Sequence, residues 1–464
     1  MTIVQNYIQS AKVLKIFEIK EGKSKIIRYF CIVKRFNYIL RGILAVLLIN
    51  LTTTASAQFL SASEPESDAS QPKVSTTDEA WLDSVDISLL TCGPGHEVWS
   101  LYGHTALRID DKAHGVDVAV NWGMFSFHQD YFILRFVFGL TDYQMGICPM
   151  NDFLAEYASE GRWVKQQRIR LSRGEKLKIM RAIELNDRPD NRTYRYNFFY
   201  DNCTTRARDM ILNNIGHDHI RLGNANTHSS YRNEIHKLNE NDKWARFGND
   251  LLLGYQADQD LTQQEWEFLP DNLRKDFDVA ERTDTEVDST LLATNPQAQQ
   301  SGYISLVDTT FYLIPPQSQA TDASEASMPR TIAIVLFVVI AALSLWEYAK
   351  KKNFWWLDTV LLTLTGLPGI ILAVMIFSQH PTVQVNFQIL ILNPLNLIFV
   401  WQVSKKLRKH KMHWYFQVWG WLLIAALLLQ YKQDYADGMV ILALSLLLRY
   451  FVRMIEKTIK PISK

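Results

Sequence analysis

The sequence predicts an α+β domain outside the membrane, followed by an all-α transmembrane bundle of about five helices. Three observations lead to this fold class. An apolar run near the N-terminus ends in small residues, the part up to about residue 330 is polar with short alternating segments, and 331–452 is dominated by long apolar runs. The 464 residues exceed one ordinary domain. A net charge of +1 gives no reason to expect a nucleic-acid partner.

The N-terminus has the features of an export signal. Basic residues, among them Lys34 and Arg41, precede the apolar run 43–51, and Ala55-Ser56-Ala57 fits a signal-peptidase site. We therefore predict a signal peptide over 1–57, with an uncleaved anchor helix as the alternative. Residues 58–80 are polar and acidic with little to bury, which predicts a disordered linker.

A compact domain is predicted over residues 81–278. Alternating apolar and polar residues predict strands at 85–93, 101–109, 117–122 and 164–171. Helical periodicity predicts helices at 150–159 and 173–185. Helices that interrupt a mostly antiparallel sheet are typical of an α+β fold. The following residues, 279–330, are predicted to be a linker or a small extension.

Residues 331–464 are predicted to be the membrane domain. Five apolar spans, each near the length that crosses the hydrocarbon core, are 331–348, 355–378, 384–403, 414–430 and 437–452. Lysine and arginine residues follow the first, third and fifth spans. Because positive loops face the cytoplasm, the α+β domain is placed in the periplasm and the C-terminus in the cytoplasm. The chain is thus predicted to be a multi-pass protein of the inner membrane.

The strongest chemical signal is Cys203 in the run YNFFYDNCTTRARDM. The polar pair Asp201-Asn202 precedes it and predicts a helix that begins at the cysteine. A helix N-terminus stabilises a thiolate through its partial positive charge and its unpaired N–H groups. Helical spacing puts Ala207 and Ile211 on the same face, so Cys203 is expected to point inward. A small buried hydrophobic residue is the alternative interpretation of this cysteine.

The best candidate base is His104, on the predicted strand SLYGHTALRID. Alternation places His104 and Arg108 on one face of that strand. Asn121, on a neighbouring predicted strand, is the candidate that orients the imidazole, with Asp117 in reserve. The alternatives are a structural histidine and an ordinary polar residue at a strand end.

Five further residues are candidates for substrate binding: Tyr102, Gly103, Arg108, Asn202 and Arg206. For the glycine, relief of a tight backbone is the alternative, and for Arg206 it is solvation of the helix. No metal and no cofactor are predicted, because the sequence has no phosphate-binding glycine loop, no serine-centred elbow and no zinc-binding helix.

Cysteine usage leaves two possibilities open. Cys31 falls in the predicted signal, so Cys92, Cys148 and Cys203 remain in the exported part, and an odd count leaves one thiol unpaired. A Cys92–Cys148 disulfide with Cys203 free suits a catalytic thiol. Three reduced thiols are the alternative.

The segments GPGHEVWSLYGHTALRI, NWGMFSF and YNFFYDNCTTRARD resemble the outer domain of the lipoprotein intramolecular transacylase (Lnb) family. The later LLLGYQADQDLTQQEWEFLPDNL resembles a recurring element of that family. The resemblance covers most of residues 85–278, with Asp-Asn-Cys where Asn-Asn-Cys is expected. The order of histidine strand and cysteine helix also resembles circularly permuted papain-like folds, such as that of lecithin:retinol acyltransferase.

This resemblance implies an acyltransferase that moves a fatty-acyl chain through a cysteine thioester to the N-terminal amine of bacterial lipoproteins. Cys203 would be the nucleophile, His104 the general base and Asn121 the orienting residue. The implied partners are diacylglyceryl lipoproteins and membrane lipids, without a cofactor. A cysteine amidase or peptidase acting on cell-envelope peptides, and a non-enzymatic envelope scaffold, are the alternatives. Five membrane crossings favour lipid chemistry over a wall hydrolase.

Overall fold

The computed structural model describes residues 80–95, 97, 100–125, 131, 135–136, 138–216, 219–223, 228–240, 242–283, 303–317 and 328–459, without the side chains of 456–459. The predicted signal peptide and nearly all of the linker 58–80 lie outside the described residues, as does much of 279–330. All described residues belong to one structural unit, Ser75–Lys464.

Ten strands and seven helices make up the periplasmic part within the described residues. The strands are β1 (Val85–Cys92), β2 (His104–Asp111), β3 (Val116–Met124), β4 (Asp142–Pro149), β5 (Val164–Ile169), β6 (Thr193–Arg195), β7 (Ile220–Arg221), β8 (Glu281–Thr283), β9 (Tyr303–Ser305) and β10 (Val307–Ile314). The helices are α1 (Met150–Ser159), α2 (Arg173–Asp187), α3 (Cys203–Ile215), α4 (Tyr231–Leu238), α5 (Lys243–Leu252), α6 (Gln263–Trp266) and α7 (Pro270–Val279).

Seven of the strands form one antiparallel sheet in the order β10-β5-β1-β2-β3-β4-β6. Apolar residues cover both of its faces. Leu107 and Val120 pack against α2, α3 and α7 on one face, whereas Ala106 and Ala119 pack against α1 on the other. Successive residues of each strand thus point alternately to one helical layer and to the other, so the sheet lies between two layers of helices. The predicted α+β class is confirmed.

The sheet extends beyond residue 278. Strand β10 pairs with β5 at the sheet edge, and β7, β8 and β9 form a small second sheet. The described part of 279–330 thus returns the chain to the periplasmic sheet shortly before it enters the membrane domain.

The membrane domain is built from α8 (Pro329–Ala349), α9 (Trp355–Met375), α10 (Pro381–Gln384), α11 (Leu395–Leu407), α12 (Trp414–Leu429) and α13 (Met439–Ile459). Four of the five predicted spans coincide with one helix each, and the third, 384–403, begins at the last residue of α10 and ends within α11. Within the described residues, three stretches are long and apolar enough to cross a membrane: Pro329–Ala349, Trp355–Met375 and Pro381–Leu407. The third is broken over residues 385–394, where a short 3-10 turn separates α10 from α11. A count of five crossings stays a prediction.

Candidate active site

A side-chain cap fixes the helix start that carries Cys203. Asn202 Oδ1 accepts hydrogen bonds from the backbone N–H groups of Thr204 and Thr205 at 2.8 and 2.9 Å, and Thr205 Oγ1 accepts from Asn202 N at 2.9 Å. This reciprocal cap satisfies the otherwise unpaired donors of the first turn. Cys203 is therefore the first residue of α3, at the electropositive end of the helix.

The turn before β2 places His104 at the first position of that strand. Gly103 has a φ of +79°, and a Cβ there would lie 2.7 Å from Cys92 O, so a side chain does not fit. His104 Nε2 lies 3.0 Å from Asn121 Oδ1, and the ring stacks on that of Tyr157 with centroids 6.5 Å apart. Since Nε2 is bonded to Asn121, Nδ1 is the ring nitrogen of His104 that can interact with the thiol of Cys203.

Cys203 and His104 meet at the end of the sheet. The imidazole and the backbone N–H of Thr105 both lie close enough to the sulfur to lower the pKa of the thiol. A bond of 3.0 Å between the hydroxyls of Thr105 and Thr204 joins the strand to the helix. The predicted nucleophile, base and orienting residue are thus brought together in the order Cys203–His104–Asn121.

The two partners approach from opposite sides of the sheet. Helix α3 packs on the Leu107 face, whereas His104 lies on the face covered by α1. Gly123 stands at the gap: it has a φ of +101°, and a Cβ there would lie 3.9 Å from Cys203 Cβ and 4.0 Å from His104 Cε1. The absence of a side chain at this position keeps the space beside the dyad open.

The electrostatics of the pair favour an ionised thiol. Burial raises the pKa of Cys203, but the charge of His104 and hydrogen bonds from His104, the Thr105 N–H and Thr204 outweigh it and lower the pKa from 9.0 to about 7. Burial lowers the pKa of His104, while the thiolate charge and hydrogen bonds to Cys203 and Asn121 raise it above its usual value overall. Each partner stabilises the charged form of the other, as in an activated cysteine–histidine pair.

The hypothesis of a Cys92–Cys148 disulfide is wrong, because both residues are free thiols. Cys92 lies on β1 opposite His104, and Cys148 lies on β4 opposite Ala119 of β3. Two strands, β2 and β3, separate them, which is about 14 Å at a spacing of about 4.7 Å per strand. A disulfide needs Cα atoms closer than about 7 Å. Cys148 Sγ instead accepts a hydrogen bond from Asn121 Nδ2 at 3.5 Å.

Two of the candidates for substrate binding, Arg108 on β2 and Tyr102 just before it, form hydrogen bonds within the protein. Arg108 forms a bidentate pair with Asp117, at 2.7 Å for both bonds, and also donates to Gln166. Asp117, the reserve orienting residue, is therefore engaged away from His104. The Tyr102 hydroxyl accepts from Asn249 Nδ2 at 2.6 Å.

The two candidates beside Cys203 also have defined contacts. Asn202 is buried, and its Nδ2 donates to the carbonyls of Phe198 and Phe268, so its amide is used in full by the cap and these bonds. Arg206 forms a bidentate pair with Asp201 and lies over the Tyr194 ring, 3.7 Å from its centroid. A role of either in substrate binding stays a prediction.

Some residues of the site were not identified from the sequence. Gly123 follows Asn121 by two positions, and a glycine directly after a predicted strand was a usable signal for an open position. Tyr157 lies on a correctly predicted helix, but nothing local indicates that its ring reaches His104. Thr105 acts through its backbone N–H, which sequence patterns do not reveal.

A surface groove with both polar and apolar lining residues begins one turn from Cys203. It runs between α2 and α3, has a volume of about 560 Å³, and its lining includes Asn186, Arg206 and Asn213. Among the side chains that the structure describes, no group of three or more His, Cys, Asp or Glu residues is arranged to hold a metal ion.

Comparison with protein families assigns both halves of the chain. Residues 72–233, which include Cys203, His104 and Asn121, match the Lnb N-terminal periplasmic domain, and residues 321–460 match the Lnb transmembrane domain. The chain belongs to the Lnb family. No curated protein and no solved structure matches it. As an Lnb-family member it is a lipoprotein-processing membrane protein, with its N-terminal domain in the periplasm and its C-terminal region in the inner membrane.

Proposed function

We propose that this protein transfers a fatty-acyl chain from a membrane glycerolipid ester to the N-terminal amine of lipoproteins through a thioester on Cys203. The observation that carries the proposal is the Cys203–His104–Asn121 arrangement, in which His104 bonds to Asn121 and lowers the pKa of the Cys203 thiol, in a periplasmic domain that precedes the membrane helices. The permuted papain-like fold that the resemblance implies agrees with this arrangement, since the histidine strand precedes the cysteine helix.

In the first half-reaction, Cys203 Sγ attacks the carbonyl carbon of the lipid ester. The S–C bond forms, the ester C–O bond breaks, and His104 gives its proton to the departing glyceryl oxygen. The products are an acyl-Cys203 thioester and a lysolipid alcohol. Asn121 holds the imidazole with Nε2 engaged, so the same ring nitrogen serves the thiol and the leaving group.

In the second half-reaction, the free α-amino group of the lipoprotein attacks the thioester carbon. The C–N bond forms, the C–S bond breaks, and one proton of the amine returns to Cys203 through His104. The result is an N-acylated lipoprotein and a regenerated thiol. Water has to be kept from the thioester, because hydrolysis competes with aminolysis.

The test is to replace Cys203 with Ala or Ser and to analyse the N-terminal lipopeptides of envelope lipoproteins by mass spectrometry. We expect N-acylated species to vanish in both variants while the protein remains folded and inserted. Cys148→Ser is the matched control, since it removes a thiol but keeps an acceptor for Asn121. Unchanged N-acylation in the Cys203 variants would refute the proposal.

The same spectra identify the acyl donor. If the chain moves within one diacylglyceryl lipoprotein, the product keeps the total number of acyl chains and carries a lyso-glyceryl group. If a phospholipid is the donor, the lipoprotein gains one chain.

A cysteine amidase acting on envelope peptides is the second candidate, favoured by the surface groove along α3, whose lining includes Asn186, Asn213 and Asn214. Its amide-rich lining suits a polypeptide, but a lipoprotein also presents one after its lipidated cysteine. Cleaved wall peptides that disappear in Cys203→Ala, with unchanged lipoproteins, would favour the amidase.

A further inference from the structure

The C-terminal end of helix α5 is capped by side chains of the membrane domain. The last four carbonyls of a helix have no intrahelical partner. Gln388 Nε2 donates to Asp250 O at 2.8 Å, and Asn386 Nδ2 donates to Leu251 O at 2.9 Å. Both amides belong to the broken third stretch of the membrane domain. The end of a periplasmic helix is thus completed across the domain boundary.

A third carboxamide closes the same junction. Gln433, from the connection between α12 and α13, donates to Leu253 O at 3.2 Å and to Asn386 Oδ1 at 2.9 Å. Its own oxygen accepts from Phe387 N at 2.7 Å. Gln388 and Gln433 are fully buried, so these hydrogen bonds are not exchanged with water.

The backbones of the two domains also bond directly. Gly254 N donates to Thr382 O at 2.8 Å, and Tyr255 N donates to Val385 O at 2.7 Å. A Cβ on Gly254 would collide with the carbonyl of Val385. With a φ of −101°, the backbone there suits any residue, so close approach alone requires the glycine.

The other side of α5 reaches the catalytic strand. Asn249 Nδ2 donates to the Tyr102 hydroxyl at 2.6 Å, and Tyr102 precedes the Gly103 turn that places His104. Arg232, fully buried, braces the segment between these contacts through Asp250, at 2.8 Å. Residues 249–255 thus connect the start of β2 with the break in the membrane domain.

We propose that residues 249–255, the docking segment, are a positioning element that fixes the Cys203–His104 pair relative to the bilayer. This proposal rests on the proposed function, since it assigns the segment to the delivery of a membrane-held ester to the thiol. The side-chain amides of Asn386, Gln388 and Gln433 bind the backbone carbonyls of this segment. The segment itself carries no reacting group.

The test compares Gly254→Ala with Gly248→Ala in the full-length, membrane-inserted protein. Both replace a glycine by alanine within or just after α5, but a Cβ at Gly248 meets nothing within 4 Å. Three quantities are measured: N-acylation of a lipoprotein in the membrane, alkylation of Cys203 by iodoacetamide, and hydrogen exchange of the peptide containing the amides of residues 254 and 255.

We expect Gly254→Ala to lower N-acylation at least tenfold and to speed exchange of the 254–255 amides, while Cys203 alkylation stays within twofold. Gly248→Ala is expected to match the wild type in all three. A purely structural defect would lower alkylation along with transfer. If Gly254→Ala does not insert, Gln388→Glu replaces it, because a carboxylate oxygen then faces Asp250 O in place of the donor.

The proposal is overturned if exchange speeds up while N-acylation is unchanged, if neither changes, or if alkylation and transfer fall by the same factor. Absence of N-acylation in the wild type itself would overturn the proposed function and the catalytic role of the docking segment with it. The docking contact is then judged separately, by hydrogen exchange alone.

Discussion

Two groups of charged side chains, one at the catalytic end of the sheet and one inside the membrane domain, are built in opposite ways. The membrane group, here called the buried charge cluster, contains Glu347, Asp358, Arg449 and Arg453, all fully buried. Arg449 bonds both carboxylates, at 2.6 and 2.9 Å, and Arg453 bonds both again, at 2.8 and 2.6 Å. Two acids and two bases are thus mutually neutralised.

The Cys203–His104 pair of the proposed active site has no such redundancy. Cys203 has one charged partner, His104, which in turn has one neutral orienting partner, Asn121. The cluster ties α8, α9 and α13 together, whereas in the proposed function the pair holds a charge that moves during the reaction. The difference is one of redundancy: each charge of the buried cluster has two partners of opposite charge, whereas the thiol of the proposed active site has one charged partner.

The largest effect is expected from Arg449→Met. It leaves two buried carboxylates with Arg453 alone, and removal of one partner from a buried ion pair costs about 3–5 kcal/mol. The measurement is the free energy of unfolding in detergent micelles. Arg330→Met is the matched control, since Arg330 forms an exposed pair with Asp437 and should cost less than about 1 kcal/mol. Equal free energies of unfolding for the two variants would show that the buried charge cluster does not stabilise the membrane domain more than an exposed ion pair does.

His104→Gln tests the reactive group. Removal of the positive neighbour destabilises the thiolate while the burial remains, so the pKa of Cys203 rises from about 7. The pH profile of Cys203 alkylation reads this out: the midpoint moves upward and the rate at pH 7 falls. His114→Gln, at the far end of β2 and paired with Asp111, should leave the profile in place. An unmoved midpoint in His104→Gln would show that His104 does not activate the thiol.

The smallest effect is expected at Cys148. Cys148→Ala removes the acceptor for Asn121 Nδ2, and a neutral hydrogen bond contributes about 0.5–1.5 kcal/mol. Since Cys148 is partly exposed, water replaces part of this, and we expect N-acylation to fall no more than about threefold. Cys148→Ser should stay nearer the wild type. A loss as large as that of Cys203→Ala would make Cys148 part of the reacting group.

Local patterns predicted four strands of the main sheet and the strand and helix that carry His104 and Cys203, because alternation and helical spacing depend on near neighbours in sequence. The helix at 150–159 and the strand starting at Val85 were predicted at their observed positions, since alternation and helical spacing decide them. The side of the sheet from which each catalytic residue comes was not predictable, because it depends on Gly123 and on a strand end. The disulfide hypothesis failed because cysteine counting contains no information on strand order.

Contacts between residues that are distant in sequence could not be predicted. Arg453 looked like a free cytoplasmic charge after the last span, but it is buried against Glu347 and Asp358. Gln388 lies among apolar residues and Gln433 lies between Lys432 and Asp434, and only the fold shows that both donate to carbonyls at the end of a helix of the other domain. In each case the partner is about 90 or more residues away, so no local pattern marks it.

The return of β10 to the sheet edge has a mechanical consequence. A domain held by one tether can still swivel about it. Here the chain leaves the sheet edge at Ile314 to enter α8, and the segment around Gly254 makes a second attachment elsewhere on the domain. Two separated attachments restrict that rotation, so under the proposed function a lipid ester would reach the thiol from one fixed direction, and the substrate would have to turn toward the protein.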